Sequence, residues 1–161
     1  MGLSDWGDFA VVIGAATAAL LGLLFVAVSI RVDPIARSAE LRNRAAQTLT
    51  LLLTGLLVAA LLVVPGQRKW SLGAEYLVLA LVVVGVAFVL DRRAGNRRGS
   101  AFGRRLDAVN PTFVTCSLLF IAAVILLLGR EDGVYLLVPA LIAVLVGGVV
   151  NAWLILVRLT G

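Results

Sequence analysis

The chain has 161 residues, 61% of them hydrophobic, and carries a net charge of +5 with no histidine and a single cysteine. A soluble domain holds roughly 45–50% apolar residues, so a surplus of this size has no place in one water-facing core and calls for lipid as solvent. The commonest metal ligand is missing with His, and Cys116 alone cannot close an intrachain disulfide.

The N-terminal stretch Met1–Asp8 carries Asp5 and Asp8 but no Arg or Lys, unlike the basic start of a cleavable signal, so the apolar run that follows is expected to be retained. That first run covers about 9–30. Along it Gly14, Ala18 and Gly22 recur every four residues, and Ala18, Gly22, Phe25 and Ser29 follow the spacing of one helix face. Small residues let helices approach closely in lipid, either within one chain or between copies. The first basic loop, 31–44, holds Arg31, Arg37, Arg42 and Arg44. Within it Asp33-Pro34 reads as an N-cap followed by an N1 proline, and Glu40 to Arg44 as a favourable i,i+4 pair. The second helix is therefore expected to start near Pro34 and run into a span over 45–65, stopped by Pro65-Gly66. Gln47, Thr50 and Thr54 form a polar stripe on it, with Thr48 alongside.

The third run, 72–90, has Glu75 in its first turn, where a carboxylate suits the helix dipole and Arg68 and Lys69 are near in sequence. Asp91 next to Arg92 reads as a stop. The second basic loop, 91–111, carries Arg92, Arg93, Arg97, Arg98, Arg104 and Arg105. Gly95, Gly99 and Gly103 recur among them and predict a mobile segment. These arginines either only set topology or also grip anionic lipid headgroups at about 1 kcal/mol each. Phe102 is the one aromatic among them, so nucleic acid is not an expected partner. Asn110-Pro111 opens a fourth run, 112–129, with Thr112 and Thr115 at its start. The fifth, 134–157, contains Pro139, which frees the carbonyl of Tyr135 and either kinks the helix or serves as an early-turn proline. Asn151 follows one turn after Gly147-Gly148.

Runs of about 18–24 residues at 1.5 Å rise match a hydrocarbon core of roughly 30 Å. They lack the alternation of barrel strands, and backbone groups in lipid must be satisfied internally. The expected fold is all-α: a polytopic membrane helix bundle forming one domain over 1–161, with five transmembrane helices, or four if the run trimmed by Glu75 lies in the interface. Placing both basic loops and Arg158 on one side leaves Arg68, Lys69 and Arg130 on the other. The positive-inside rule then puts the N-terminus outside and the C-terminus in the cytoplasm, with the chain in the cell's inner (plasma) membrane. Trp6, Trp70, Tyr76 and Tyr135 fall at the outer interface and Trp153 near the inner one, where amphipathic rings prefer to sit. At an offset of 63 residues Gly22, Phe25 and Val26 meet Gly85, Phe88 and Val89, Ala59-Ala60 meets Ala122-Ala123, and Gly66 meets Gly129. Such matches are either a parallel repeat of one hairpin, as in some transporters, or the coincidence that a chain this rich in Ala, Leu and Val produces by composition alone.

No metal-binding cluster, phosphate-cradling loop or nucleophile with a base is apparent, so neither catalysis nor a cofactor is expected. Under this orientation most intramembrane polar groups, namely Gln47, Thr50, Thr54, Thr115 and Asn151, lie in the cytoplasmic half. They make either ordinary helix ends and self-bonded hydroxyls or a polar cavity. Two functions follow. One is an accessory or regulatory subunit that works through helix–helix contact with its own copies or a larger complex. The other is an oligomeric channel or small transporter.

The segments GLLFVAVSI (Gly22–Ile30), LRNRAAQTL (Leu41–Leu49) and LLVVPGQ (Leu61–Gln67), after an opening Asp5-Trp6, resemble a group of small multi-span membrane proteins of actinobacteria. The resemblance covers the first hairpin, about the first 75 residues. It implies a membrane protein without catalytic residues to transfer, and some similar proteins are described as modulators of the membrane-bound protease FtsH.

Overall fold

The computed structural model describes residues 6–30, 38–94 and 111–160. These form five α-helices: α1 (Gly7–Ile30), α2 (Ala39–Val63), α3 (Lys69–Ala94), α4 (Pro111–Leu127) and α5 (Leu137–Thr160). A 3-10 segment, Glu131–Leu136, leads into α5. Among the described residues there is no strand. Four stretches are long and apolar enough to cross a membrane: α1, most of α2 and α3, and the 3-10 segment continued into α5. The short helix is the fourth, with 17 residues. At 1.5 Å per residue it spans about 25 Å, the lower end of what crosses a bilayer. The third, expected to be the doubtful one, is a full 26 residues.

The helix ends have local causes. α2 begins at Ala39, later than Asp33-Pro34 suggests, because Ser38 is the N-cap. Its backbone is extended (φ −109°, ψ 111°) and its hydroxyl accepts from the Leu41 amide, which satisfies one of the helix's orphan donors. Asp33 and Pro34, the side chain of Glu40, the glycines at 95, 99 and 103, and Asn110 lie outside the described residues. α2 stops at Pro65-Gly66, where Gly66 takes φ +72°. α4 closes with a Schellman motif: the Arg130 amide donates to the Ile125 carbonyl and the Gly129 amide to Leu126, with Gly129 at φ +78°. Pro139 is the third residue of α5, and Leu137 before it donates to Val134 in 3-10 fashion. The proline thus helps to open α5 and leaves no kink, because no α-helical turn precedes it.

Successive helices run up and down. α2, α3, α4 and α5 close a ring in which each packs on the next and α5 returns to α2; α1 lies outside it, against α2 and part of α5. Close approaches fix the register. A methyl added at Gly55 would meet Val144 at 2.7 Å and Thr17 at 3.2 Å, one at Gly148 would meet Leu52 at 2.6 Å, and one at Gly73 would meet the Leu127 amide at 2.9 Å. All four helix ends adjoining the two basic loops therefore fall at one end of the bundle, with the end of α5. The α2–α3 and α4–α5 turns fall at the other, where the Trp6 and Tyr135 rings stand nearly perpendicular with their centroids 5.0 Å apart. The larger apolar cluster, built around Val58, Tyr76, Leu119, Leu126 and Leu141, fills that turn end. A smaller one around Leu24, Leu51, Leu52 and Val144 fills the loop end.

Tyr76 departs from its expected interfacial role. It is 0% exposed, and its hydroxyl donates to the Val58 carbonyl at 3.1 Å. Its ring packs in the core, and a helix carbonyl serves in place of interfacial water. Glu75 is also displaced. Because α3 starts at Lys69 there is no acid in its first turn, and the carboxylate instead accepts from the Gln67 amide at 2.5 Å and the Ser71 hydroxyl at 3.5 Å.

Candidate functional site

The five residues of the polar set occupy three levels. The contacts of Gly147 and Gly148 with Leu51 and Leu52, continued one turn toward the loop end, place Asn151 opposite Gln47 and Thr48. Both carboxamides are partly buried. They are the two members of the set that adjoining helices bring to one height. At mid-height lie Thr17 and Thr54, 0% and 2% exposed, around the Gly55–Val144 contact. Pro111 against Gly147 and Ala122 against Gly133 bring Thr115 to the same level. Thr50 stands apart, on the flank of α2 that turns toward α1.

The hydroxyls are mostly spent within their own helices. Thr17 donates to Ile13 at 2.6 Å, Thr48 to Arg44 at 2.8 Å, Thr50 to Ala46 at 2.8 Å and Thr54 to Thr50 at 2.7 Å. A hydroxyl bonded to its i−4 carbonyl needs no neighbour and lines no polar path. Thr115 differs: its Oγ1 is buried and without a hydrogen-bond partner. Two concavities indent the bundle, and neither is lined by Gln47, Thr54, Thr115 or Asn151.

One concavity, about 800 Å³, opens at the turn end between Gly7, Pro65, Gln67, Trp70 and Gly129. Beneath it the Gln67–Glu75 bond leaves the Gln67 Oε1 buried and unpartnered. The second, about 530 Å³, is a groove between α1 and α2, bounded by Ala18, Gly22 and Phe25 on one side and Leu49, Thr50 and Leu53 on the other. This groove revises the small-residue face. Gly14 does touch α2, since an added methyl would meet Ala59 at 3.4 Å, but nothing lies within 4 Å of one at Gly22. α1 packs instead through Ala10, Thr17 and Leu24, spaced by seven. Ala18, Gly22 and Ser29 remain exposed, and the Ser29 hydroxyl donates to Phe25 at 2.8 Å.

Of the six loop arginines, Arg92 has a described side chain, and its guanidinium lies 4.1 Å from the centroid of the Phe88 ring. The side chain of Arg93, and Arg97, Arg98, Arg104 and Arg105 altogether, lie outside the described residues. No group of three or more His, Cys, Asp or Glu that could hold a metal occurs among the described residues, and Cys116 is buried. The groove, the place of Thr17 beside the expected Thr54 and Thr115, and the Gln67–Glu75 pair were not legible, because each depends on which residues two segments bring opposite one another. No protein-family model, curated protein or solved structure matches the chain.

Proposed function

We propose that the chain is a multi-pass integral protein of the bacterial plasma membrane, N-terminus outside and C-terminus cytoplasmic. In this reading it is a non-enzymatic accessory or regulatory subunit that works by lateral contact with its own copies or with another membrane complex. Four helices of spanning length support the membrane placement. The four helix ends that adjoin the basic segments of the sequence fall at one bundle end, which supports the orientation. A single cysteine introduced at Gly66 is then labelled from outside by an impermeant thiol reagent and one at Ala39 is not; native Cys116, being buried, stays silent. Equal labelling of both sinks the orientation.

The lateral-contact reading is carried by α1. Only 17% of its apolar window is buried, against 44% for α2 and for the last span, so α1 is held from one side. Its far face presents Val12, Leu23, Val26 and Ile30, each more than half exposed. Packing, not hydrophobicity, selects partners in lipid, and a large, regular, uncommitted face is what a second helix needs. A photo-crosslinking side chain at Leu23 or Val26 is expected to capture one discrete protein partner, or a second copy, in intact membranes. The same group at core position Val58 should capture none. Lipid-only adducts at both outer positions would refute the reading. The channel alternative gains no support from the self-bonded threonines.

A further inference from the structure

We infer that the concavity at the turn end is a binding site for one phospholipid whose head is both anionic and hydroxylated, its phosphate at Arg68 and its hydroxyl at Gln67. This rests on the membrane placement proposed above but not on the lateral-contact reading.

Lipid is indicated by the apolar part of the lining, Val63, Val64 and Pro65, which continues from a stretch of spanning length that ends at Val63. The two valines are 44% and 47% exposed, and Trp70 on the same lining is 58% exposed. A wall of this kind at the end of a span lies where acyl chains give way to their heads and where tryptophan settles. The anion is indicated by Arg68. It lines the concavity and is exposed, and its guanidinium has no hydrogen bond or ion pair among the described residues. Lys69 lines the concavity too, but it is already engaged, so an anionic group falls to Arg68. The hydroxyl is indicated by Gln67. Its Nε2 donates to the Glu75 carboxylate, and turning the carboxamide over would set oxygen against oxygen. The end left over is therefore an acceptor, and it has no partner. That oxygen is itself covered; a change of rotamer at the partly buried Gln67 turns it to the lining when a donor arrives. The occupant has to bring a donor as well as an anion. A phosphate diester only accepts, and a choline head has no donor. A glycerol phosphate head on a diacyl body has both, and its chains cover the valines, which a soluble polyol phosphate would leave bare. The volume, about 800 Å³, falls within the roughly 300–1,000 Å³ of small-ligand sites.

The test uses the full chain purified in mild detergent from membranes and examined by native mass spectrometry. The probes are phosphatidylglycerol, phosphatidylmethanol (anionic, without a hydroxyl), phosphatidylcholine (neutral, without a donor) and soluble glycerol phosphate. Wild type is expected to retain one phosphatidylglycerol, about fivefold over phosphatidylmethanol, the equivalent of one hydrogen bond. It should prefer phosphatidylmethanol about fivefold over phosphatidylcholine, the equivalent of one surface arginine. Arg68→Gln abolishes the second contrast and keeps the first; Gln67→Leu abolishes the first and keeps the second. Arg68 is exposed, so the outcome does not depend on Gln67→Leu folding. Glycerol phosphate, a head without chains, is not retained. Absence of phosphatidylglycerol on wild type, either contrast surviving the variant meant to abolish it, or glycerol phosphate retained in place of the lipid would overturn the proposal. A chain released from membranes by alkaline carbonate would overturn the membrane placement instead.

Discussion

Adjacent glycines in α5 allow the packing argument to be tested with one methyl group. At Gly147 an added Cβ would fall against the Pro111 Cβ, with Pro111 Cγ at 2.8 Å and Leu51 Cδ2 at 3.2 Å. A proline ring is part of the backbone and cannot rotate aside, so α4 and α5 must separate. Overpacking of this kind costs about 1–3 kcal/mol. At Gly148 the obstacle is Leu52, met at Cδ2 (2.6 Å) and Cγ (3.2 Å), which can shift within or between rotamers for about 0.5–1.5 kcal/mol. At Gly22 nothing is met within 4 Å. All three substitutions gain about 0.8–1 kcal/mol of helix propensity. The expected order of stability is therefore Gly22→Ala above wild type, Gly148→Ala near it, and Gly147→Ala below by up to about 2 kcal/mol. Equilibrium unfolding in mixed micelles, followed by tryptophan fluorescence and circular dichroism, reads this order. If Gly147→Ala proves as stable as Gly22→Ala, the α4–α5 register at Pro111 is wrong. The shared height of Thr115 with the Gly55 layer would then lose its basis.

Tyr76→Phe removes one buried bond to Val58 and should cost about 0.6–1.7 kcal/mol, the range for single interhelical hydrogen bonds in membranes; no change in the same assay would return Tyr76 to the interface. Thr115→Val removes a buried hydroxyl that has no partner and should stabilise by about 1 kcal/mol or more, since an unsatisfied buried group costs roughly 1–3. Thr54→Val, whose hydroxyl is bonded at 2.7 Å, should show no such gain. A loss on Thr115→Val would mean that the hydroxyl has a real partner, and would revive a polar path through the mid-height layer.

What was legible in the sequence was what depends on one segment at a time. The first helix was expected over 9–30 and runs Gly7–Ile30, and Pro65-Gly66 ends the second helix as anticipated. Apolar length and turn chemistry are local. The errors occur where local signals compete or where a second helix decides. Ser38 and Asp33-Pro34 both offer an N-cap, and nothing in the string of residues ranks them. An aromatic near a span end reads as an interfacial anchor, yet Tyr76 faces α2 and is buried by it. A face of small residues reads as a packing face, yet α1 turns Ala10 and Thr17 inward and leaves Gly22 outward. Gln47 and Asn151 were singled out by type alone. That they share a height follows from the antiparallel register of α2 and α5, which no spacing within either helix encodes.

The 63-residue offset acquires physical content when burial is compared rather than identity. Gly66 and Gly129 match and share positive φ, +72° and +78°. Ala10 and Thr17, which pack α1 on α2, correspond to Gly73 and Ala80, which are buried on α3. Gly22 and Gly85 both face open space, and each is followed three residues later by an exposed phenylalanine, Phe25 at 63% and Phe88 at 54%. α5 packs on α2 and α4, the second helices of the two hairpins. The halves diverge at one position: Ala18 corresponds to Leu81, which is 59% exposed. Ala18 is exposed as well, so Ala18→Leu copies the residue of the second hairpin at a place where a longer side chain displaces nothing in the core. Helicity and unfolding midpoint should stay unchanged in the micelle assay, and a clear fall in midpoint would mean that the two hairpins do not share one packing register.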